Sequence, residues 1–344
     1  MPSFDLKLTD SQQPTQVSAR DRLGTSLGGA LGLALALILG ATPLFAGSLG
    51  VAQGYNLFAF NNINVSADVG GSVALGGQLQ SATSIGAQLS VSSSFPTLVA
   101  DGTNNSNVIA NGVGTIEVDN GSAYLRGYSS GHPANVTFNQ AGAGYLSSDP
   151  ISGGIAASQS SFVSLASTLA NTTANATLSS GVINLTGKAA GTYVVDVSNL
   201  SSLTAINYNA GSQTLIINVS GSTTWSGVNV TINGNQQSNT STLARGILFN
   251  FGTASSVTLD SSFFGSILAP DASVTGGGTI VDGEVIADNI SGLGEVESDS
   301  IFNGNLPSGS AAPEPGTLSL MGAVLLAFGV FGRRLRRVKA RRDQ

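Results

Sequence analysis

Short apolar runs punctuated by glycine fill the segment from Val257 to Leu293 and constrain the fold more than any other feature. The runs are three to five residues long and cover 257–259, 265–269, 272–274, 278–281, 283–287 and 291–293. A strand this short cannot bury its apolar side alone, but stacked strands can, each pairing with the rungs above and below. The spacing therefore predicts a β-helix, with a β-sandwich as the alternative.

The rest of the chain favours the same mainly β class. Only 9% of the 344 residues are charged and 45 are glycine, a composition that suits strands joined by tight polar turns. One helix is expected at about 158–174, where apolar residues recur every three to four positions: Phe162, Leu165, Ala166 and Leu169. We expect one β-rich domain at 47–305, followed by a linker at 306–312.

Charge and cysteine content exclude several functions. The chain has no cysteine, which rules out disulfides, thiolate metal sites and a cysteine nucleophile. Between Gly47 and Ala312 fourteen acidic residues face three basic ones, Arg126, Lys188 and Arg245, a net charge of −11. Such a domain repels nucleic acid.

The N-terminal segment, residues 1–46, has the pattern of a signal peptide. Lys7, Arg20 and Arg22 precede the apolar run 31–39, and Pro43 stands shortly before Ala46. We expect the Sec translocon to export the chain and signal peptidase to cut after Ala46. The alternative is an uncleaved anchor, although the apolar core is shorter than a membrane span.

The C-terminal segment, residues 313–344, has three ordered parts. Pro313, Glu314 and Pro315 come first, and an apolar stretch at 316–332 is just long enough to predict a transmembrane helix. A basic cluster at 333–342 follows, and the positive-inside rule keeps it cytoplasmic. Its members are Arg333, Arg334, Arg336, Arg337, Lys339, Arg341 and Arg342.

This tail resembles the PEP-CTERM sorting signal of Gram-negative bacteria that produce exopolysaccharide. The resemblance implies that exosortase recognises Pro313-Glu314-Pro315 in an intermediate tethered to the inner membrane. It also implies that the tail is then removed and that the domain reaches the cell surface or extracellular matrix. An ordinary C-terminal membrane anchor is the alternative.

The exported part resembles the choice-of-anchor A domain over most of 54–297. The beginning of that domain is matched at 55–58 and 68–77, and its end at 246–251, 265–270 and 283–288. Proteins of this family carry various surface anchors, PEP-CTERM among them, and are regarded as adhesive. The resemblance therefore implies a surface adhesin.

Residues that could carry chemistry are few, and we predict no catalytic, cofactor or metal site, with Ca²⁺ binding left open. His132 is the sole histidine and supports neither a His-based metal cluster nor a triad. Trp225 could stack on a sugar, but burial in the core is favoured.

Carboxylates repeat at every second position in three places, which puts them on one side of a strand. They are Glu117 with Asp119, Asp282 with Glu284, and the ladder Glu295, Glu297 and Asp299. Such groups could hydrolyse a glycosidic bond or bind Ca²⁺. We interpret them instead as solvent-facing charges that keep a strand edge from pairing, with the ladder blunting the end of a solenoid.

Three functions follow as hypotheses. The first is a non-enzymatic adhesion or biofilm matrix protein that contacts exopolysaccharide or neighbouring cells through many weak contacts. The second is ice binding, because the 257–287 pattern resembles β-helical ice-binding domains; Thr258, Thr275 and Thr279, however, are spaced too irregularly to draw the flat face this needs. The third is a polysaccharide-active enzyme.

Overall fold

The computed structural model describes residues 49–307 apart from 82, 91–94, 103–107, 129–132, 134, 226–230 and 237–240. The predicted signal peptide with its cleavage point after Ala46, the residue His132, and the whole predicted sorting tail lie outside the described residues. Within the described ranges, no helix is both long enough and apolar enough to span a bilayer.

The first half of the domain alternates short strands with tight turns and ends in a helix, α1 (Ile155–Ala170). Its strands are β1 (Tyr55–Ala59), β2 (Ile63–Val65), β3 (Ser72–Leu75), β4 (Thr83–Ile85), β5 (Leu98–Ala100), β6 (Ile116–Val118), β7 (Ala123–Leu125) and β8 (Val136–Phe138).

The second half contains both short strands and long ones that turn corners. Its strands are β9 (Leu178–Ser179), β10 (Val182–Asn184), β11 (Gly191–Asn199), β12 (Ala205–Asn207), β13 (Gln213–Ser222), β14 (Thr224–Trp225), β15 (Thr231–Ile232), β16 (Asn235–Gln236), β17 (Ile247–Asn250), β18 (Ser256–Leu259), β19 (Phe263–Phe264), β20 (Ser266–Asp282) and β21 (Val285–Glu297).

Apart from two short antiparallel pairs, β9 with β10 and β15 with β16, these strands stack as parallel rungs of a β-helix. The predicted β-helix is therefore confirmed, and the β-sandwich alternative is wrong. The longest stack runs in the order β11-β13-β17-β20-β21-β1-β3-β5-β7, and each neighbouring pair in it is parallel. A sandwich of hairpin-connected strands would give antiparallel neighbours. Here the neighbours are adjacent turns of a solenoid.

The order of the rungs is discontinuous along the chain. The first half winds from β1 to β7, and the second half winds from β11 back to β21, which pairs with β1. The first and last rungs therefore meet in the middle of the stack. β21 pairs with β1 along one edge and with β20 along the other. The last strand of the domain is therefore an interior rung.

Each rung presents three faces, and β20 contributes to all of them. Its residues 266–269 pair in the long stack, residues 273–276 pair with β18, and residues 281–282 pair with β19. The first of these faces is covered by α1. Apolar side chains that point inward, such as Leu57, Val257 and Leu293, form the solenoid core.

A second apolar layer lies between the solenoid and α1. Phe58 on β1 and Phe60 just after it turn outward, and their rings lie 5.6 and 5.5 Å from the ring of Phe162 on the helix. The helix occurs as predicted, but it begins at Ile155 and ends at Ala170 instead of covering 158–174. Phe162, Leu165, Ala166 and Leu169 all lie on its buried side.

The chain after β21 forms a C-terminal strap, residues 298–307, that crosses several rungs. The amide of Asn303 donates to the carbonyl of Arg245 at 3.0 Å, and that of Asn305 donates to Oγ1 of Thr214 at 2.8 Å. The hydroxyl of Thr192 donates to the carbonyl of Asn305 at 2.7 Å. The strap thus runs from the middle of the stack to β11, its terminal rung.

Candidate binding surface

The outer surface of β14, β18, the middle of β20, β21 and β2 carries polar side chains in lateral register, and we call it the polar face. Residues inside these strands alternate, so that every second side chain enters the core and the next points outward. Val257 and Val274 enter the core, while Thr258 and Thr275 beside them point outward. The alternation produces two straight rows across the strands.

The first row, the hydroxyl row, follows directly from the strand pairing. Thr224 pairs with Thr258, Thr258 with Thr275, Thr275 with Ser291, and Ser291 with Asn64. Every member is at least partly exposed. Neighbouring parallel strands lie about 4.8 Å apart, so the five side chains span about 19 Å.

The second row, the amide row, lies beside it and consists of Ser256, Ser273, Asn289 and Asn62. Ser256 pairs with Ser273 and Ser273 with Asn289. The Oδ1 atom of Asn289 accepts from the amide of Asn62 at 3.2 Å, and Oδ1 of Asn62 accepts from the amide of Gln78 at 2.9 Å. These bonds tie adjacent rungs together and fix the asparagine side chains.

The two rows differ in how many of their side-chain hydrogen-bonding groups remain available to a ligand. In the part of the chain that the structure describes, the side chains of Thr224, Thr258, Ser291 and Asn64 make no hydrogen bond to protein, and Thr275 makes a long one, 3.4 Å, to the carbonyl of Val257. Each hydroxyl can donate one hydrogen bond and accept others. The hydroxyl row is therefore an ordered set of available donors and acceptors.

The electrostatics of this surface are unusual for so acidic a domain, because neither row contains a charged residue. Acidic residues stand beside it, where the rungs turn: Asp271, Asp288 and Asp260. The carboxylate of Asp288 is occupied by amides, accepting from Asn61 at 2.7 Å and from Asn289 at 2.9 Å.

The three basic residues of the domain lie elsewhere and have partners. Arg126 pairs with the buried carboxylate of Asp101 and approaches Asp149 at 3.6 Å. Lys188 lies over the ring of Tyr193. The guanidinium of Arg245 donates to the carbonyl of Asp299 in the C-terminal strap.

The expectation that the threonines are too irregular for a flat face is wrong for two of the three. Thr258 and Thr275 are paired in the hydroxyl row, whereas Thr279 pairs with Leu293 away from it and has a buried hydroxyl. The rows join residues from distant parts of the sequence. Their register depends on the lengths of the corners and on the meeting of the two chain halves, which spacing alone does not reveal.

The interpretation of Asp282 and Glu284 as solvent-facing charges is also wrong, since both are fully buried. Asp282 accepts from the amide of Ser300 at 2.8 Å beneath the strap, and burial raises its pKa to about 7. Burial likewise raises the pKa of Glu284 well above its ordinary value, and neither of its carboxyl oxygens has a hydrogen-bond partner among the described residues. Ser300 of the C-terminal strap thus lies over the Asp282 carboxylate.

The ladder at the end of β21 does not blunt the end of the solenoid. Glu295 is exposed, Asp299 is half-buried and Glu297 is buried. β21 lies between β20 and the rungs of the first half, because the chain returns to the middle of the stack. The interpretation failed because the last strand in sequence is not the last rung in space.

Glu117 and Asp119 do share one side, as the alternation predicts. Asn139 donates to both, at 3.4 and 2.6 Å, and the hydroxyl of Ser84 donates to Asp119. Since β6 is paired with β4 and β8, the two carboxylates do not protect a free edge. Within the described residues, no group of three or more His, Cys, Asp or Glu side chains could hold a metal ion.

Trp225 lies in the core, as favoured from the sequence. It is 3% exposed, its indole nitrogen donates to the carbonyl of Ser262 at 3.1 Å, and its ring packs against Phe249 and Phe263. Trp225 therefore contributes no aromatic surface to the polar face.

The fold defines a class: a parallel β-helix with discontinuous rung order, one helix along its side, and an uncharged polar face. The sequence matches, over residues 48–298, the model of the family described as "Putative Ice-binding-like adhesive domain", and the chain belongs to that family. Membership in an adhesive family indicates an extracellular or surface location.

Among solved structures, the chain is similar to the ice-binding protein of an Antarctic ascomycete, Antarctomyces psychrotrophicus. The two are 14% identical with a TM-score of 0.34, and the match covers 76% of this chain and 100% of the other. No curated protein was found to match the sequence.

Proposed function

We propose that this protein is a non-enzymatic adhesin of the cell surface or biofilm matrix, which contacts exopolysaccharide or neighbouring cells through the polar face. The observation that carries the proposal is the hydroxyl row, an exposed and ordered set of hydrogen-bonding groups in a domain of an adhesive family. Each contact is weak, and strength comes from repetition along the face and over many molecules.

The sorting route is part of the same proposal. The resemblance to choice-of-anchor A domains and to PEP-CTERM tails supports export by the Sec translocon, tethering in the inner membrane and recognition of Pro313-Glu314-Pro315 by exosortase. The C-terminal strap brings the chain to the terminal rung β11, on the way to residue 313.

The intact mass of the protein from the surface and medium of the native host tests the sorting, with an exosortase-deficient strain alongside. Loss of the segment after Pro315 only in the strain with exosortase supports it. An intact tail in both strains contradicts it and indicates a membrane-tethered domain.

Co-sedimentation of the recovered protein with the producer's exopolysaccharide and with whole cells tests the adhesion. Clean recovery in the supernatant from both contradicts the proposal. If Asp282→Asn and Glu284→Gln leave all glycan turnover unchanged, a hydrolase that uses the buried pair is excluded.

Ice binding is the second candidate, favoured by the alignment of Thr224, Thr258 and Thr275 on three adjacent strands. An ice surface requires a regular array of threonines, and the row supplies three before Ser291 and Asn64 interrupt it. Inhibition of ice recrystallisation by the purified protein is the measurement. Its absence eliminates this candidate and leaves adhesion in place.

A further inference from the structure

We propose that the ligand of the polar face is an uncharged, extended polysaccharide chain that lies across the strands along the hydroxyl row. This inference rests on the proposed adhesive function and adds the chemical class and the placement of the ligand. It follows from the charges around the face, from its free hydrogen-bonding groups and from its rigidity.

A polyanion has nothing to bind on this surface. The domain carries a net charge of −11 between Gly47 and Ala312. All three of its basic residues are engaged elsewhere, Arg126 with Asp101, Lys188 with Tyr193 and Arg245 with the strap. An acidic polysaccharide approaching the polar face would meet repulsion without any compensating cation.

A polycation also lacks partners over the rows. An amine on a sugar needs a carboxylate within salt-bridge distance, and both rows consist of hydroxyl and amide side chains. Asp288, at the edge of the amide row, already accepts from Asn61 and Asn289. Asp260 and Asp271 are exposed at the corners beside the face, outside both rows. The rows themselves therefore offer hydrogen bonds and no ion pair, which suits a chain whose groups are neither acidic nor basic.

Neutral sugars can form hydrogen bonds with the side chains of the hydroxyl row that have no partner in the described part of the protein. Each sugar hydroxyl both donates and accepts, as do Thr224, Thr258 and Ser291, while Asn64 offers the carbonyl oxygen and the NH₂ group of its side-chain amide. The row is straight and spans about 19 Å, so an extended chain contacts several strands at once whereas a coiled chain does not. The bonds from Asn289 and Asn62 to neighbouring rungs keep the surface ordered before binding, which lowers the entropic cost of association.

The experiment uses the full protein recovered from the native host and measures retention on cellulose, mannan and galactan as neutral probes, with alginate as polyanion and chitosan as polycation. We expect retention on at least one neutral polymer, little changed by about 0.5 M NaCl because no charges are involved. Retention only on alginate or chitosan, or on none of the five, overturns the inference.

The double variant Thr258→Val/Thr275→Val removes two hydroxyls with little change of shape. We expect it to bind the neutral polymer about tenfold more weakly, because two hydrogen bonds are lost. Thr137→Val is the matched control, since Thr137 is exposed on β8, away from the polar face. Equal binding by the double variant and the wild type overturns the proposed site.

Retention on producer cells separates the failure of this inference from that of the proposed function. If the wild type is retained and the double variant is retained equally well, adhesion stands and the polar face is not the site. If the wild type itself is not retained, the adhesive function fails.

Discussion

The carboxylate of Asp101 on the β5 rung accepts a hydrogen bond, 3.1 Å long, from the amide of Ile155, the first residue of α1. Asp101 is fully buried and also binds the guanidinium of Arg126. A helix begins with unpaired amides and a partial positive charge, and Asp101 satisfies both from a distant part of the chain. Asp101→Ala should lower the free energy of unfolding by about 2 kcal/mol.

Urea unfolding followed by the fluorescence of Trp225 measures this change, because Trp225 is the single tryptophan and lies in the core. Asp260→Ala is the control, since Asp260 is exposed. A loss for Asp101→Ala that is no larger than the control's would show that the capping bond does not stabilise the helix.

Glu284 makes the stability of the fold depend on pH. Burial raises its pKa in the folded protein well above its ordinary value of 4.5, so the folded state binds the proton more tightly than the unfolded state. This contribution is fully present below pH 4.5 and is lost as pH rises towards the folded pKa. Glu284→Gln, which imitates the neutral acid, should flatten that decline in unfolding experiments between acidic and alkaline pH.

Burial also raises the pKa of Asp282, from its ordinary value of 3.8 to about 7 in the folded protein. Its contribution to stability is therefore lost as pH rises from about 4 to 7. The unfolding free energy of the double variant Glu284→Gln/Asp282→Asn should therefore depend less on pH than that of either single variant. Glu295→Gln, which makes the same change of carboxyl to amide at an exposed position, is the matched control. A wild-type stability that rises over the same pH range would contradict this account.

The C-terminal strap depends on Phe302, which is fully buried in the layer outside the solenoid. Its carbonyl also accepts from the side chain of Gln53 at 2.8 Å. Phe302→Ala removes apolar contact that is ordinarily worth about 3–5 kcal/mol, enough to release a ten-residue segment. Hydrogen exchange should accelerate in residues 298–307 while β21, paired on both sides, stays protected.

Ile301→Ala is the matched control, because the neighbouring Ile301 is only partly buried. It should change exchange in the strap much less. Unaltered protection of the strap in Phe302→Ala would mean that the strap is held by its polar contacts, such as that between Ser300 and Asp282.

Sequence patterns predicted what depends on neighbours along the chain. The spacing of Phe162, Leu165 and Leu169 indicated a helix, and alternation between glycines indicated stacked rungs. The start of the helix was missed by three residues, because the residue that caps it, Asp101, lies 54 positions away, and the end was missed by four. No local signal connects the two.

Contacts between distant rungs could not be predicted in this way. The hydroxyl row joins Asn64 to Ser291, and the return of β21 to the middle of the stack buries Glu284 instead of exposing it. Both follow from the discontinuous rung order, which is set by how the two chain halves pair. Alternation tells which residues share a side of one strand, but it does not tell which strand comes next or what covers it.

Gly292 holds the polar face in register where β21 turns a corner. Its φ of +64° is unfavourable for any residue with a side chain, and a Cβ atom there would lie 2.2 Å from the carbonyl oxygen of Gly276 on β20. Both obstacles are backbone features that cannot rotate away. Gly292→Ala should cost about 2 kcal/mol or more in unfolding free energy and, by displacing Ser291 from Thr275, weaken retention on the neutral polymer.

Gly277→Ala is the matched control at a neighbouring corner, because nothing lies within 4 Å of a Cβ atom built there. It should change the free energy of unfolding by no more than about 0.5 kcal/mol. If the two variants were equally stable, the close approach of the rungs at Gly292 would not set their register. If Gly292→Ala unfolded more easily yet bound the polymer as tightly as wild type, the alignment of Ser291 with Thr275 would not be needed for binding.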